Sequence, residues 1–580
     1  MKFNKVKRAI ALASVLTMVL PLAACGGDDS GNSSQGGDSQ GQQSQNSDAN
    51  NNNENSSAAN NNEQQSDAQG TPEATWPDDV TLTYYLRGGT SEYEPYLYDD
   101  LVGMQKIQEA TGINLDYEVI CGDSDAIKTQ YLAMIQSGNY PDVIQWLHKE
   151  SYNGGVDQLY NDGVIIELND LIDNYMPNLK KILEEHPNLA KDMMNDNGQY
   201  LYFTKLNPLE STDDLVGICN FGLLMRKDWL ENVGLSAPTT IDEWYEVLKA
   251  FKTQDPNGNG IDDEIPFDAG AAGLNLFYPA FNILNGIYID PATNKVGYGA
   301  YSENYREFLT TMNKWYSEGL IGNIWDDDGN IASGGSTDEH IYGDIAGSWK
   351  GLANNWEQRL PGILEKNPNA DLVACIWPYS TISSGVQYTP NTYYSTIDRT
   401  TTCISVDCKY PEAAATLIDY MYSVEGGMYL TWGVEGETYT TDANGKHSWT
   451  EYGDELIDYY DGHFARKYTY AMAHISFPRF GQNDVSNTYG DEYAAACELW
   501  SKCDVSLIYP GAIAITQDEL DAAIGAESDM GEYISEMQKK FITGEEPLTN
   551  FDTYLDELKK KGVEDYIKVY QDAYDRYNAR

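Results

Sequence analysis

The sequence is short of basic residues. Among its 580 residues, 37 are lysine or arginine and 90 are aspartate or glutamate, which gives a formal net charge of −53. Proteins hold phosphate backbones with clustered lysines and arginines, so this deficit argues against nucleic acid as a partner. The acidic excess is typical of a solvated surface and favours solubility.

Catalytic signatures are lacking as well. The six histidines are scattered, and the chain has no His-Glu-x-x-His zinc motif, no Gly-x-Ser-x-Gly elbow and no phosphate loop ending in Gly-Lys-Ser or Gly-Lys-Thr. A glycosidase needs two carboxyl groups at a set separation, and no motif marks such a pair. We therefore expect a binding protein and not an enzyme.

Cysteine is scarce, with eight in the chain. Seven follow Cys25, and an odd number cannot all pair within one chain. None has the spacing of a zinc ribbon or a redox motif, so most are expected to be small buried hydrophobic residues. A disulfide between Cys403 and Cys408, or between Cys497 and Cys503, stays open.

The N-terminus carries a targeting signal. Lys2, Lys5, Lys7 and Arg8 precede an apolar run over residues 9–24. This run is shorter than the about 20 apolar residues that a membrane-spanning helix needs. Residues 1–24 are therefore predicted to be a secretory signal peptide.

Residues 22–25, Leu-Ala-Ala-Cys, resemble the bacterial lipobox, where cleavage leaves a diacylated cysteine as the first residue. The resemblance implies that Cys25 is lipidated and that the protein sits on the outward face of the cell membrane, held by its lipid anchor only. The alternative is a plain signal peptide that happens to precede a cysteine.

The stretch over residues 25–76 follows as a linker. It consists mainly of Gly, Ser, Asn, Gln, Asp and Glu with almost no apolar residue, so it cannot offset its ordering entropy by burial. We predict a disordered tether with a root-mean-square span of roughly 40 Å.

Residues from 77 onwards have the periodicities of a folded protein. Residues 80–86 and 142–146 are apolar β-prone runs, and residues 125–137 between them have apolar positions at helical spacing. Strands that alternate with helices predict an α/β fold with largely parallel pairing.

Two further helices have clear boundary signals. Thr240 and Glu243 form a capping box ahead of one apolar helix face, and Gly319 is placed to end a helix over residues 305–316. Apolar positions over residues 554–577 predict terminal helices.

Several short segments resemble the family 1 extracellular solute-binding proteins of ABC importers. More narrowly, they are similar to the large lipoprotein subgroup with a calcium loop that includes alginate- and fructo-oligosaccharide-binding members. The segments are residues 140–144 (Tyr-Pro-Asp-Val-Ile), 225–230 (Met-Arg-Lys-Asp-Trp-Leu), 238–244 (Pro-Thr-Thr-Ile-Asp-Glu-Trp), 255–260 (Asp-Pro-Asn-Gly-Asn-Gly), 432–436 (Trp-Gly-Val-Glu-Gly) and 541–545 (Phe-Ile-Thr-Gly-Glu).

The resemblance implies a two-lobe periplasmic-binding-protein-like fold of type II, with discontinuous α/β lobes joined by hinge crossovers. Lobe 1 would comprise residues 77–206 plus 376–440, and lobe 2 residues 207–375 plus 441–580. The implied function is the extracytoplasmic substrate-binding component of an ABC importer, expected as a monomer, which binds an oligosaccharide between the lobes and delivers it to the permease. A peptide or other small solute, or a role as a surface sensor or adhesin, stays open.

A candidate metal site lies in residues 255–264. Oxygen-bearing side chains at positions one, three, five and nine, a glycine at six and a backbone carbonyl at seven match the spacing of a calcium loop, although Pro266 replaces the usual glutamate at position twelve. In the resembled subgroup, the glutamate at position ten supplies this carboxylate. The predicted ligands of a structural calcium ion are Asp255, Asn257, Asn259, Ile261, Asp263 and Glu264. The alternative is an Asn-Gly turn without metal.

Ligand contacts are predicted from aromatic residues, because sugar rings stack their C–H faces on such side chains. Trp146 follows a strand, where α/β sheets gather ligands, and Trp349 is similar in position to the stacking tryptophan of maltose-type relatives. The predicted contacts are Trp146, Trp349, Arg87, Tyr278, Trp377, Trp432 and Glu435. For each, the alternative is an ordinary core or surface position.

Overall fold

The computed structural model describes residues 76–580 except 88–100, 147–151, 207–218, 220, 269–272, 323–337, 391–396, 398–400, 444, 446 and 454–485. The predicted signal peptide, Cys25 and all but the last residue of the predicted linker lie outside this part. Within it, no helix is both long and apolar enough to span a bilayer.

The described residues form helices and strands in a mixed order. Residues 76–206 contribute β1 (Thr81–Arg87), α1 (Val102–Thr111), β2 (Asn114–Ile120), α2 (Ser124–Ser137), β3 (Val143–Trp146), α3 (Gly155–Asn161), α4 (Asn169–Tyr175), α5 (Pro177–Glu185) and α6 (Pro187–Met193). Residues 221–375 contribute β4 (Phe221–Arg226), α7 (Lys227–Val233), α8 (Ile241–Thr253), a 3₁₀ helix (Asn275–Phe281), β5 (Ile287–Asp290), β6 (Lys295–Tyr298), α9 (Glu303–Ser317), α10 (Asp338–Tyr342), β7 (Ser348–Leu352), α11 (Asn355–Gln358), α12 (Leu360–Lys366) and β8 (Leu372–Cys375). The C-terminal part contributes β9 (Thr401–Ile404), α13 (Pro411–Tyr422), α14 (Val424–Thr431), β10 (Tyr439–Thr441), β11 (His447–Trp449), α15 (Ser486–Ser501), α16 (Gln517–Thr543), a short 3₁₀ helix (Leu548–Asn550), α17 (Phe551–Lys560) and α18 (Val563–Ala579).

The first hydrophobic core is built on a four-stranded sheet in the order β2-β1-β3-β9. β1 pairs in parallel with β2 and β3, and β9 joins β3 as an antiparallel edge. β1 occupies an inner position because it is apolar along most of its length, with Leu82, Tyr84 and Leu86 buried. Three consecutive buried alanines at 413–415 let α13 pack closely on this core.

The second core surrounds a three-stranded sheet in the order β7-β4-β8. Both neighbours run antiparallel to β4, so the expectation of largely parallel pairing is wrong for this sheet. Long connections separate β4 from both partners, and the apolar pattern within a strand does not specify the direction of its neighbour. Trp500 lies directly on Gly222, where an added Cβ would sit 2.1 Å from the indole ring.

The chain passes between the two cores more than once. Leu206 packs in the first core and Cys219 in the second, while Tyr388 packs in the second and Ile397 in the first. Leu206 and Ile397 form an isolated antiparallel bridge, so two of these passages meet the first core at neighbouring positions. The second passage falls between residues 388 and 397, later than the expected position near 376, because Trp377 still belongs to the second core. The lobe boundaries near 206 and 440 stay predictions.

Several local predictions are confirmed. β1, α2 and β3 coincide with the predicted runs. The hydroxyl of Thr240 accepts a hydrogen bond from the Glu243 amide (3.1 Å), and the Glu243 carboxylate accepts one from the Thr240 amide (3.2 Å), which completes the capping box of α8. Gly319 has a φ of 69° just beyond the end of α9, as a helix-terminating glycine requires.

The four cysteines that could have formed disulfides are thiols in this structure. Burial raises the pKa of Cys403, Cys408 and Cys497 to about 12 and that of Cys503 to about 11. These side chains therefore act as small hydrophobic groups and not as thiolates.

Candidate functional site

A cavity of about 440 Å³ lies between residues of the two cores. Tyrosines line it from both directions, with Tyr152 and Tyr202 on the side of the first core and Tyr509 and Tyr570 on the opposite side. This inter-core cavity has the volume of an ordinary small-molecule site, and its walls combine aromatic rings with a few polar groups.

The first wall of the inter-core cavity adjoins the carboxyl end of β3. Tyr152 follows that strand along the chain and precedes α3. Tyr202 lies next to Phe203, which bridges to Thr402, and Thr402 in turn pairs with a residue of β3. Ligands of α/β proteins gather at the carboxyl ends of strands, so this wall has the expected topological position for binding.

The opposite wall is formed largely by residues 509–515, a connection between α15 and α16. Tyr509 packs edge-on against Tyr570 with ring centres 5.5 Å apart, and its hydroxyl donates a hydrogen bond to the Tyr570 carbonyl (3.0 Å). The contact fixes the orientation of the Tyr509 ring, so the wall is ordered before a ligand arrives.

Polar groups of the inter-core cavity are mostly amides and carboxylates. The Asn195 amide donates to Asp157 Oδ1 (2.7 Å) and to Gln199 Oε1 (3.1 Å). Asn285 is exposed at the edge, and Asp192 accepts a hydrogen bond from the Tyr577 hydroxyl. Amides offer both donors and acceptors, which suits the hydroxyl groups of a sugar.

The C-terminal end of α18 joins the two sides of the cavity. Asp196 pairs with Arg576 (Nε to Oδ2, 3.0 Å) and with Arg580 (Nη2 to Oδ1, 2.7 Å). Arg580 also donates a hydrogen bond to the Met194 carbonyl (2.5 Å), and Arg576 forms a second ion pair with Glu519. These two arginines and Asp196, together with the Tyr577–Asp192 hydrogen bond, form the C-terminal clasp.

Three of the predicted ligand contacts are buried in the second core. The Trp349 indole donates to Asn355 Oδ1 (3.1 Å), and the Trp377 indole donates to the Trp500 carbonyl (2.9 Å). Tyr278 packs edge-on against Phe308. In this conformation none of the three rings has a free face for a sugar, so Tyr278, Trp349 and Trp377 have the alternative role of core residues.

The other four predicted contacts have different surroundings. Arg87 and Trp146 are the last residues of the neighbouring strands β1 and β3, and their side chains lie outside the described part. Trp432 is buried 4.3 Å from the ring of Trp449, and Glu435 is exposed. As ligand contacts, these four stay predictions.

None of the seven predicted contacts is among the described residues that line the inter-core cavity. Tyr152 could have been found from the sequence, because the strand-end argument that selected Trp146 applies equally to the segment just after it. Tyr202, Tyr509 and Tyr570 carry no local signal, since nothing in the sequence around them indicates that they meet.

The predicted calcium loop has the backbone of a tight turn. Gly258 and Gly260 have φ of 72° and 75°, and Asp255 has φ of 48°. The Asp255 carboxylate accepts hydrogen bonds from the backbone amides of Asn259 (3.1 Å) and Gly260 (3.0 Å). The Asn257 amide donates to the Asp344 carbonyl at 2.9 Å, which ties the loop to the segment ahead of β7.

The surroundings of the Glu264 carboxylate indicate whether the loop suits a cation. Its side chain is buried, and Oε1 has no hydrogen-bond partner among the described residues. Burial, followed by the charges of Asp263 and Asp255, raises the pKa of Glu264 above its usual value. An unpaired buried carboxylate is costly without a cation, so Glu264 fits a metal ligand. Within the described part no three acidic, histidine or cysteine side chains converge, so amide and carbonyl oxygens would have to complete the set.

The family of the chain follows from comparison with known proteins. Residues 98–428, more than half of the chain, match the family model described as bacterial extracellular solute-binding protein. The chain belongs to this family. It is therefore an extracellular solute-binding protein with a two-lobe α/β fold, and the expectations of that class, of that fold and of a binding protein rather than an enzyme are confirmed.

Individual relatives extend the match to most of the chain. The chain is 26% identical over 539 residues to the fructooligosaccharide ABC transporter substrate-binding protein FusA of Streptococcus pneumoniae, covering 87% of this chain and 92% of FusA. The structure of FusA in complex with kestose is similar at a TM-score of 0.61, with 25% identity over 86% of this chain and 99% of FusA. A FusA EF-hand mutant in complex with fructo-nystose gives a TM-score of 0.60 at the same identity and coverage. The alginate-binding protein AlgQ2 without calcium ion shares the fold at a TM-score of 0.60, with 21% identity over 87% of this chain and all of AlgQ2.

Proposed function

We propose that the protein captures an oligosaccharide in the inter-core cavity and delivers it to the permease of an ABC importer. The observation that carries this proposal is the set of tyrosines that face the cavity from both sides of the molecule. Aromatic side chains on both sides would let one sugar chain contact both cores at once. The fructooligosaccharide specificity of FusA makes kestose and fructo-nystose the first ligands to test.

A ligand that bridges the two cores would stabilise the closed arrangement. The ligand gains contacts on both walls only when they are close together, so binding shifts an open–closed equilibrium toward the closed form. The permease would then recognise the closed form.

The binding proposal is tested by titration calorimetry with kestose and fructo-nystose. Tyr152→Ala removes a ring from the wall beside β3, and we expect about a tenfold loss of affinity, because a stacked aromatic ring contributes on the order of 1 kcal/mol beyond its buried area. Tyr152→Phe keeps the ring and should lose less. Tyr342→Ala, an exposed tyrosine outside the cavity, is the matched control. An affinity unchanged by Tyr152→Ala would contradict binding at this wall.

Calcium is proposed as a structural ion of the loop over residues 255–264. The residues that would hold it are Asp255, Asn257, Asn259, Ile261 through its carbonyl, Asp263 and Glu264. The unpaired Glu264 carboxylate and the turn at Gly258 and Gly260 support this assignment. So does the similarity to FusA, for which an EF-hand mutant exists. The bound ion would neutralise the acidic loop and stiffen the second core at that edge.

The membrane attachment is also proposed. Membership in an extracellular family, together with the lipobox-like residues 22–25, supports lipidation of Cys25 on the outward face of the cell membrane. The linker over residues 25–76 would then let the binding domain reach a permease.

A further inference from the structure

We propose that Asp344 positions the side chain of Asn257 for the cation of the loop over residues 255–264, although Asp344 itself lies outside that loop. This inference rests on the proposed calcium site, because it concerns how one predicted ligand of that site is oriented.

The amide group of Asn257 is fixed in one orientation. Its nitrogen donates a hydrogen bond to the Asp344 carbonyl (2.9 Å), and its oxygen Oδ1 accepts one from the backbone amide of Asn259 (3.0 Å). A flipped side chain would set its oxygen against a carbonyl oxygen and its NH₂ group against an N–H group, so both contacts select the same orientation. The oxygen, which is the atom that a cation would need, therefore lies on the side of the loop.

The backbone of Asp344 has an unusual conformation. Its φ of 62° lies in the left-handed region, which residues other than glycine seldom occupy. Such a conformation persists only where the surrounding structure holds it. The direction of the Asp344 carbonyl, and with it the contact to Asn257, therefore depends on what holds Asp344.

A buried ion pair holds the side chain of Asp344. Its carboxylate pairs with the guanidinium of Arg226, which is fully buried at the end of β4, and accepts a hydrogen bond from the Asn367 amide (3.3 Å). Arg226 also donates two hydrogen bonds to Asp228, from Nε (2.8 Å) and from Nη2 (2.6 Å). Because one planar guanidinium serves both carboxylates, it cannot turn away from Asp344 without losing the bonds to Asp228.

The segment that follows Asp344 holds the end of the same loop. Ile265 comes directly after Glu264, and its amide donates a hydrogen bond to the Ile345 carbonyl (2.8 Å), while the Gly347 amide donates one to the Ile265 carbonyl (3.0 Å). The loop is thus attached to one segment at its third position and at its exit. Outer contacts of this kind orient the groups that bind a metal, and their loss typically lowers metal affinity by about 10–100-fold.

The test is titration calorimetry of calcium chloride into the full chain after its metal has been removed with EDTA. Asp344→Ala removes the ion pair and disfavours a positive φ. We expect the calcium affinity to fall about tenfold, although Asp344 is not one of the predicted ligands. Asp344→Asn keeps the tolerance for the left-handed region and should lose less affinity. It is also the variant to measure if Asp344→Ala does not fold.

A second substitution separates positioning from the loss of a charge. Asn257→Asp supplies the carboxylate that calcium loops commonly carry at the third position, and its two equivalent oxygens need no orienting partner. This variant should bind calcium at least as tightly as the wild type. In its background, the Asp344 substitutions should lower the affinity by less than about threefold, because no amide remains to be oriented.

Asp262→Ala is the control for charge. It removes a carboxylate from the same loop, where Asp262 is exposed and pairs with Lys252 (2.8 Å). An exposed charge is screened by solvent, so we expect the calcium affinity to change by less than about threefold.

The outcomes separate this inference from the proposed calcium site. If the Asp344 substitutions cost the same affinity in the wild type and in the Asn257→Asp background, or cost none in the wild type, the positioning role is overturned while the calcium site stands. If the wild type binds no calcium, the proposed site is overturned and this inference with it.

Discussion

Asp419 on α13 caps a helix that belongs to another part of the sequence. Its carboxylate accepts hydrogen bonds from the Asn178 amide nitrogen (3.2 Å), the Asn178 side chain (2.8 Å) and the Leu179 amide (2.9 Å). Both amides lie in the first turn of α5, where backbone N–H groups have no partner within the helix. Pro177, the first residue of this helix, has no N–H group that needs an acceptor. Asp419 therefore accepts hydrogen bonds from the N–H groups of the next two residues.

Replacing this carboxylate should have a pH-dependent effect on stability. Burial raises the pKa of Asp419 from 3.8 to about 6. A folded carboxyl group with a raised pKa binds its proton more tightly than the unfolded chain does, so its contribution to stability is fully present below pH 3.8 and decreases as the pH rises through about 6. Asp419→Ala should therefore lower the free energy of unfolding by about 2–4 kcal/mol at pH 5, and by less at pH 8.

Urea unfolding of the wild type and of Asp419→Ala at several pH values measures this difference in the free energy of unfolding. Glu184→Ala, an exposed acid on α5 itself, is the control and should change stability by less than about 0.5 kcal/mol at every pH. If the loss of unfolding free energy caused by Asp419→Ala grew toward alkaline pH, it would contradict the raised pKa assigned to Asp419.

At the scale of single elements, local signals predicted structure well where one segment determines the outcome. The capping box at Thr240 and the stop at Gly319 depend on neighbours a few residues away, and both are present. The aromatic residues were harder to assign, because a tryptophan that fills a core and one that stacks on a sugar have the same local sequence. Trp349 was therefore predicted as a ligand contact although its ring and its indole nitrogen are both used in the core.

The calcium loop is an element whose stability should depend on a bound ion. An ion that binds only the folded chain raises its stability by mass action, by about 2.7 kcal/mol at a hundredfold excess over the dissociation constant. We expect Ca²⁺ to raise the melting temperature of the wild type relative to EDTA, and Glu264→Ala to lose most of this increase, because it removes the buried carboxylate that has no other partner.

Scanning calorimetry in Ca²⁺ and in EDTA provides the measurement. Asp262→Ala is the matched control, because Asp262 lies in the same loop but is exposed and pairs with Lys252 (2.8 Å). If Glu264→Ala kept the whole calcium-dependent increase, Glu264 would not be a ligand.

At the scale of the whole molecule, the binding cavity could not be read from the sequence. Tyr152 and Tyr509 come from opposite halves of the chain, and only the packing of two cores brings them to one cavity. The family resemblance did predict the two-lobe architecture, because its motifs occur in order along most of the chain. It did not identify the lining residues, which lie outside those motifs.

The C-terminal clasp makes a prediction at this scale. Asp196→Ala removes the carboxylate shared by Arg576 and Arg580, and networks of this kind contribute on the order of 1 kcal/mol. We expect the sugar-free protein to open more often, its radius of gyration to increase and its affinity for sugar to fall about fivefold. Small-angle scattering and calorimetry measure these quantities.

Asp575→Ala is the control for the clasp. It makes the same charge change on the exposed side of α18, where Asp575 contacts Gln571 of its own helix. Equal effects of the two substitutions would mean that the clasp does not hold the two sides of the cavity together.

The wall at residues 509–515 has no strand pairing and belongs to the connection over residues 502–516 between α15 and α16. Ala512 and Ile513 are buried in hydrophobic clusters, so substitutions at the other positions of this wall change what the ligand meets with the least effect on packing. The ligand specificity of this scaffold should therefore be changeable by substitutions in this connection that leave Ala512 and Ile513 in place.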